Sequence, residues 1–462
     1  MGAENMEKME NMKGDDMENM KGKGMENMSR GCSIEDLRRE FDDIVGYEAI
    51  KDEMVQICDT IVNREYYTRL GADIPQGLLL YGQPGVGKTT MAECIARACG
   101  RPVFRLRRKD HGDGFIKRMK QTFAEAAENA PSVVLLDDID KYAEYIHESM
   151  LMGMDAPSGG ETEYTILQSC IDAIADKDVF VIGTTNREAY LPESLTRSGR
   201  FDRKRKVCPP SVHDAAQILE KYLGGKKLAD DVDYGSLAVL ANGSSCAFIE
   251  SLANDAAVIA GYERSPEITM DHIARAYLKW YSFKMDEELS PEEKRRVAYH
   301  EAGHVVVMEH LVPGVMDIVT AKRESNLLTD VYIGGIPLGF NDDRNRIGAL
   351  RALGGRAAIE LVYGEVDDLS EGDVAVSCSH AEEKVRNGYD EYMHLIQDSC
   401  MEGSSNAVLA AVEEATGAEL AKLYREALEI VAAERDYLER LADALCENDY
   451  LLSKDIQRLK TA

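Results

Sequence analysis

Leu78-Leu79-Leu80-Tyr81-Gly82-Gln83-Pro84-Gly85-Val86-Gly87-Lys88-Thr89 carries an apolar strand straight into a glycine-rich turn. Gly82 to Thr89 meets the pattern Gly-x4-Gly-Lys-Ser/Thr at every required position, and its place between a strand and a helix marks a phosphate-binding loop. Glycines let backbone N–H groups curl around phosphates, the helix starting near Gly87 turns its positive end toward them, and Lys88 adds a point charge. Thr89 offers its hydroxyl to Mg2+. Gly82, Gln83, Pro84, Gly85, Val86, Gly87, Lys88 and Thr89 are thus the expected nucleotide-binding residues.

Outward from this loop the chain alternates strands and helices. Upstream, Phe41-Asp42-Asp43-Ile44-Val45-Gly46 opens a helical segment. Downstream, Pro102-Val103-Phe104-Arg105 predicts a second strand, Lys117 to Ala127 a helix, and Ser132-Val133-Val134-Leu135-Leu136-Asp137-Asp138 a third strand. An apolar run ending in acids reads as a buried parallel strand delivering carboxylates to the sheet edge. Asp137 is expected in the magnesium shell, and Asp138 is placed to orient or deprotonate the attacking water. A further strand from Val179 ends at Thr184-Thr185-Asn186, where Asn186 faces the ligand edge of an open α/β sheet. Arg200 and Arg203, three apart, can reach a phosphate, including one on a neighbouring subunit.

A second chemistry lies at Tyr299-His300-Glu301-Ala302-Gly303-His304. Two histidines four apart lie about 40° apart around a helix axis, so both imidazoles reach one ion. Glu301 beside the first can take a proton from water activated there, the metalloprotease reading of His-Glu-x-x-His. Ser290-Pro291-Glu292-Glu293 supplies the N-terminal cap of the helix, and Pro313-Gly314 its stop. The third ligand is open among Asp367, Asp368, Glu371 and Asp373.

Together the phosphate loop, the acid pair, Thr184-Thr185-Asn186 and the two arginines resemble the AAA+ ATPases. With His-Glu-Ala-Gly-His they resemble the FtsH family of ATP-dependent zinc metalloproteases, over roughly residues 39–460. The resemblance implies an α/β P-loop domain with a helical lid, followed by a mainly α zinc metallopeptidase domain. It implies ATP, Mg2+ and Zn2+ as cofactors, with zinc on His300, His304 and Asp373. Asn186 becomes the phosphate sensor, and Arg200 and Arg203 arginine fingers in a homo-hexameric ring. The expected function is a soluble ATP-dependent zinc endopeptidase that unfolds or translocates tagged or unfolded proteins. The alternatives are a AAA+ remodelling ATPase with a structural zinc site and an ATP-independent peptidase with a weakened ATPase. The expected divisions are a disordered Met-rich tail (1–35), an ATPase domain (36–210), a lid (211–286) and a peptidase domain (287–462).

Composition narrows the setting. The chain of 462 residues is 44% hydrophobic, long enough for several cores, and its formal charge of −29 argues against a sequence-independent grip on nucleic acid. Residues 9–28 repeat Met-Glu-Asn-Met, and the glycine in each full copy of the eight-residue unit favours a disordered tail. The ten cysteines form no Cys-x-x-Cys pair and read as reduced thiols. No apolar run approaches the ~18 residues of a spanning helix, so we expect a cytoplasmic chain with no integral membrane segment, unlike the family.

The chain departs from the family pattern at two further points. Asp137-Asp138 stands where the family has Asp-Glu; the lost methylene withdraws the carboxylate by about one bond, ~1.5 Å, which predicts slow hydrolysis. Where the family has a pore-loop aromatic, Phe115 is the candidate here. Residues 331–338 predict an edge strand able to pair with an extended substrate.

Overall fold

The computed structural model describes residues 32–108, 113–143, 163–197, 199–281, 289–316, 318–321, 343–366, 368–389, 392, 406–448 and 450–461. The Met-rich repeat, the edge strand expected at 331–338 and Asp367 lie outside them. Two compact units result, one of residues up to Pro209 together with Ser245–Ala247, the other of Pro210–Ser244 and Phe248–Ala462.

The first unit is an α/β layer structure. Helix α1 (Glu48–Val62) precedes β1 (Gly77–Tyr81), α2 (Lys88–Ala98), β2 (Val103–Arg107), α3 (Asp113–Glu128), β3 (Ser132–Asp137), α4 (Glu163–Asp172), β4 (Val179–Thr185) and β5 (Arg203–Lys206). The strands form one parallel sheet in the order β2-β3-β4-β1-β5. Leu78, Leu79 and Leu80 are fully buried, each contributing roughly 1.5–3 kcal/mol of transfer free energy. This parallel order brings the ends of β1, β3 and β4, and so the loop, the acid pair and Asn186, to one edge. β5, Arg-Lys-Arg-Lys, has no apolar pattern to announce it; it pairs with β1 as a charged edge strand, the kind that resists further pairing.

Phe115 is a correction. Its ring is fully buried and meets Tyr142 edge-to-face at 4.8 Å between centroids. It sits on the face of α3 that packs into the sheet core and is no substrate-gripping aromatic.

The second unit begins with helices α5 (Val212–Leu223), α6 (Tyr234–Leu240), α7 (Cys246–Tyr262, whose first residues group with the first unit) and α8 (Met270–Tyr281). Then come α9 (Pro291–Leu311), β6 (Ile318–Thr320), α10 (Asp343–Tyr363), α11 (Glu371–Arg386), α12 (Asn406–Ala433), α13 (Arg435–Glu447), β7 (Tyr450–Leu452) and α14 (Ser453–Thr461). Valines 305–307 of α9 and Leu350, Leu353 and Ile359 of α10 share one core with Leu438, Leu441 and Leu445 of α13. Among the described residues no helix is long and apolar enough to cross a membrane.

Candidate functional site

Helix α9 starts where the sequence places its cap. Ser290 Oγ accepts from Glu293 N at 3.3 Å and Glu293 Oε2 accepts from Ser290 N at 2.8 Å, a reciprocal capping box with Pro291 in the first turn. The far end is held by Glu309, a fully buried carboxylate that accepts from Gly314 N at 3.1 Å and Gln457 Nε2 at 2.9 Å, with Lys460 Nζ at 3.4 Å. A buried charge is stable only with such partners. Between these anchors α9 crosses α10 at glycines. A Cβ on Gly303 would stand 2.3 Å from Gly354 O, and one on Gly354 2.6 Å from Gly303 O. The glycine inside His-Glu-Ala-Gly-His is therefore what lets the two backbones touch.

That close crossing aims the histidines. His304 Nδ1–H donates to the Arg351 carbonyl at 2.7 Å, which leaves the Nε2 lone pair facing His300 Nε2 at 3.1 Å. Such an outer hydrogen bond orients a ligating imidazole. Asp373, in the first turn of α11, closes a triangle: its Oδ2 lies 3.0 Å from His300 Nε2 and 3.4 Å from His304 Nε2. Among the described residues this is the one group of three or more such side chains able to hold a metal ion. Donors around a tetrahedral zinc at about 2.0–2.1 Å stand about 3.3–3.4 Å apart, so the donor set and its edges fit zinc. The ring of His300 lies against Gly355, where a Cβ would come within 2.6 Å of it.

The electrostatics separate the two acids. Burial pushes the Glu301 carboxyl up, the neighbouring Asp373 adds to this and His300 opposes it, leaving it at about 7. That range suits a group that must take and return a proton. Burial acts on Asp373 in the same direction, but hydrogen bonds and charge from His300 and His304 outweigh it and hold its carboxyl well below the usual range. Of the open alternatives for third ligand, Asp368 and Glu371 stand outside this triangle.

At the sheet edge of the first unit, positive φ at Gly82, Gly85 and Gly87 shapes the loop. Gly85 is also sterically required, since a Cβ there would sit 2.9 Å from the Ser245 hydroxyl and the Ala247 methyl; Gly85 O accepts from Ala247 N at 3.0 Å. Lys88 Nζ donates to Gly82 O at 2.9 Å, Gln83 O at 2.7 Å and Asn186 Oδ1 at 2.8 Å. Burial lowers its pKa, against the pull of Asp138, Asp140 and Asp137. Asp137 Oδ1 accepts from Thr89 Oγ1 at 3.0 Å and Thr184 Oγ1 at 2.8 Å. Asp138 has a left-handed backbone, φ 53°, which Asp tolerates better than longer acids, and its N–H donates to Thr184 Oγ1 at 3.0 Å. Its carboxylate meets Lys141 Nζ at 2.8 Å and Asn186 Nδ2 at 3.4 Å. Asp140 Oδ1 accepts from Thr185 Oγ1 at 3.1 Å and Asn186 N at 3.2 Å.

Sequence reasoning missed Thr184, Asp140 and Lys141 as parts of this network, although each lies within three residues of a motif it read. The arginines are elsewhere. Arg200 forks onto Asp172, Nε and Nη2 each at 2.8 Å, and donates to the Ser194 carbonyl. Arg203 is exposed at the start of β5, opposite Leu78, at the end of the sheet away from the loop. His310 is solvent-exposed 3.8 Å from Glu434, and His380 is half-buried 3.4 Å from Asn345; neither joins the metal-type triangle.

Known proteins resemble this chain over most of its length. Residues 78–209 match the ATPase family associated with various cellular activities (AAA). The ATP-dependent zinc metalloprotease FtsH 3 of Symbiobacterium thermophilum is 30% identical, the alignment covering 93% of this chain and 73% of that protein. FtsH 2 of the same organism is 31% identical, over 91% of this chain and 74% of its own length. The mitochondrial ATP-dependent zinc metalloprotease FTSH 8 of Oryza sativa is 28% identical, over 91% of this chain and 53% of its own. With relatives of this identity aligned along most of both chains, and with a phosphate loop and a His-Glu-x-x-His helix present in one polypeptide, the chain belongs to the FtsH family of ATP-dependent zinc metalloproteases.

Proposed function

We propose that this chain is an ATP-dependent zinc endopeptidase that unfolds or translocates protein substrates in the cytoplasm and works as a homo-hexamer. The observation carrying the proteolytic half is the triangle of His300, His304 and Asp373 with Glu301 beside it. His300, His304 and Asp373 would hold zinc, which would supply Lewis acidity at this point. Glu301 takes a proton from the attacking water and returns it to the leaving amine. His304, fixed by the Arg351 carbonyl, keeps its Nε2 lone pair turned to the ion. A purely structural site has no need of the glutamate.

In the ATPase half, the loop from Gly82 to Thr89 cradles ATP, with Lys88 turning from loop carbonyls to phosphate. Asp137 and Thr89 hold the Mg2+ shell, Asp138 orients the attacking water and Asn186 senses the terminal phosphate. Arg200 and Arg203 serve a neighbouring subunit's nucleotide, which for Arg200 requires release from Asp172. The domains divide as 36–210, 211–286 and 287–462, preceded by the tail.

The test is digestion of casein and of a stably folded substrate, with ATP, without ATP and with a zinc chelator. We expect both digestions to stop with the chelator, and Lys88→Ala to lose the folded substrate while retaining part of the casein activity. A Lys88→Ala variant that digests the folded substrate as fast as the parent contradicts coupling. Absence of cleavage by the parent under every nucleotide condition contradicts the peptidase.

A further inference from the structure

The edge of the phosphate site holds a cation that none of the motifs accounts for. Arg107 is the last residue of β2 and lies in register with Asp137 on β3. Its side chain is 62% exposed; Nε stands 3.6 Å from Asp137 Oδ2 and Nη2 3.7 Å from Asp138 Oδ2. Both separations exceed hydrogen-bond length, so the guanidinium faces two carboxylates without committing its donors to them.

The other cations in this unit that bear on the site are held more tightly. Lys88 donates to two loop carbonyls and Asn186, Lys141 to Asp138, and Arg200 to Asp172. On the same strand, Arg105 Nε donates to Glu93 at 3.0 Å. Arg107 is also one carboxylate away from the Thr89 hydroxyl, because Asp137 accepts from Thr89 through Oδ1 and faces Arg107 with Oδ2. A triphosphate brings net negative charge to this edge, and a dication at Asp137 competes with a long ion pair for that carboxylate. The released guanidinium has the planar fork that matches phosphate oxygens.

We propose that Arg107 is a γ-phosphate-contacting residue supplied by the chain itself, moving from the two carboxylates to the terminal phosphate when a magnesium-bound nucleoside triphosphate occupies the loop. The proposal rests on the phosphate-loop reading above and adds to it an in-chain cation, separate from the arginines assigned to a neighbouring subunit.

The experiment is calorimetric titration of the full chain with AMP-PNP and with ADP, each with Mg2+. For Arg107→Ala we expect AMP-PNP affinity to fall roughly tenfold or more, the worth of a hydrogen bond to a charged group, with ADP affinity unchanged. Arg107→Lys restores part of the loss, because it returns the charge without the fork. Arg105→Ala, on the same strand, leaves both affinities unchanged. Equal loss of both nucleotides in Arg107→Ala assigns Arg107 to holding the acids and overturns the proposal, as does no loss of either. A parent that binds neither nucleotide overturns the phosphate-loop reading and this inference with it, whereas a parent that binds both, with their affinity ratio unchanged in Arg107→Ala, overturns the inference alone.

Discussion

The metal-type site and the phosphate site are built in opposite ways. His300 and His304 lie on one long helix, clamped at both ends and pressed backbone to backbone against α10, with both rings buried. The phosphate site gathers groups from the ends of three strands and a glycine loop, and several of its side chains hold one another: Lys88 with Asn186, Lys141 with Asp138, Thr184 with Asp137. Helix packing sets the first before any ligand arrives. On the function proposed above, the second exchanges these internal hydrogen bonds for phosphate and magnesium as it cycles through nucleotide states.

The largest expected effect tests whether the two sites separate chemically. Glu301→Gln should lower proteolysis by about 10²–10⁴, the usual worth of general acid–base catalysis, while ATP hydrolysis continues. Loss of ATP hydrolysis to the same degree would mean that this substitution acts through folding. Next, Gly355→Ala drives a methyl into the His300 ring and should lower zinc affinity roughly tenfold or more, read as bound zinc per chain in a chelator competition, with ADP binding intact. Unchanged zinc content would contradict the view that the site is set by packing. Thr184→Val removes the donor to Asp137 and the acceptor for Asp138 N–H; ATP turnover should drop by roughly tenfold, with the zinc content of the parent. The smallest effect should come from Asp138→Glu. Its longer reach should raise ATP turnover a few-fold, while the left-handed backbone at φ 53° costs about 1 kcal/mol of stability. A turnover that stays level or falls would mean that the backbone conformation, more than carboxylate reach, selects aspartate here.

Much of this was legible in the residues. The Leu78-to-Thr89 stretch specifies strand, loop and helix locally, because each of its signals acts over a few residues: apolar burial, glycine conformations, a helix start. The capping box at Ser290 is equally local, and the helix begins where it says. β5 was not legible, since Arg-Lys-Arg-Lys carries no period and becomes a strand only by pairing with β1. Phe115 was misread because an aromatic near a family motif looks the same in sequence whether it points to solvent or into a core; packing against Tyr142 decided it.

By itself, then, the sequence determined the elements and chemistries that depend on near neighbours: a phosphate loop, two histidines and a glutamate on one helical turn or so, and acids at the end of an apolar strand. Tertiary structure decided what depends on distant neighbours. It brought Asp373, but neither Asp368 nor Glu371, within reach of both histidines by packing α11 beside them. It set the tautomer of His304 through a carbonyl 47 residues away, and it placed Arg107 beside the acid pair through strand register. Side-chain identity is written locally, whereas the three-dimensional distance between residues far apart in the chain is set only when their helices and strands pack.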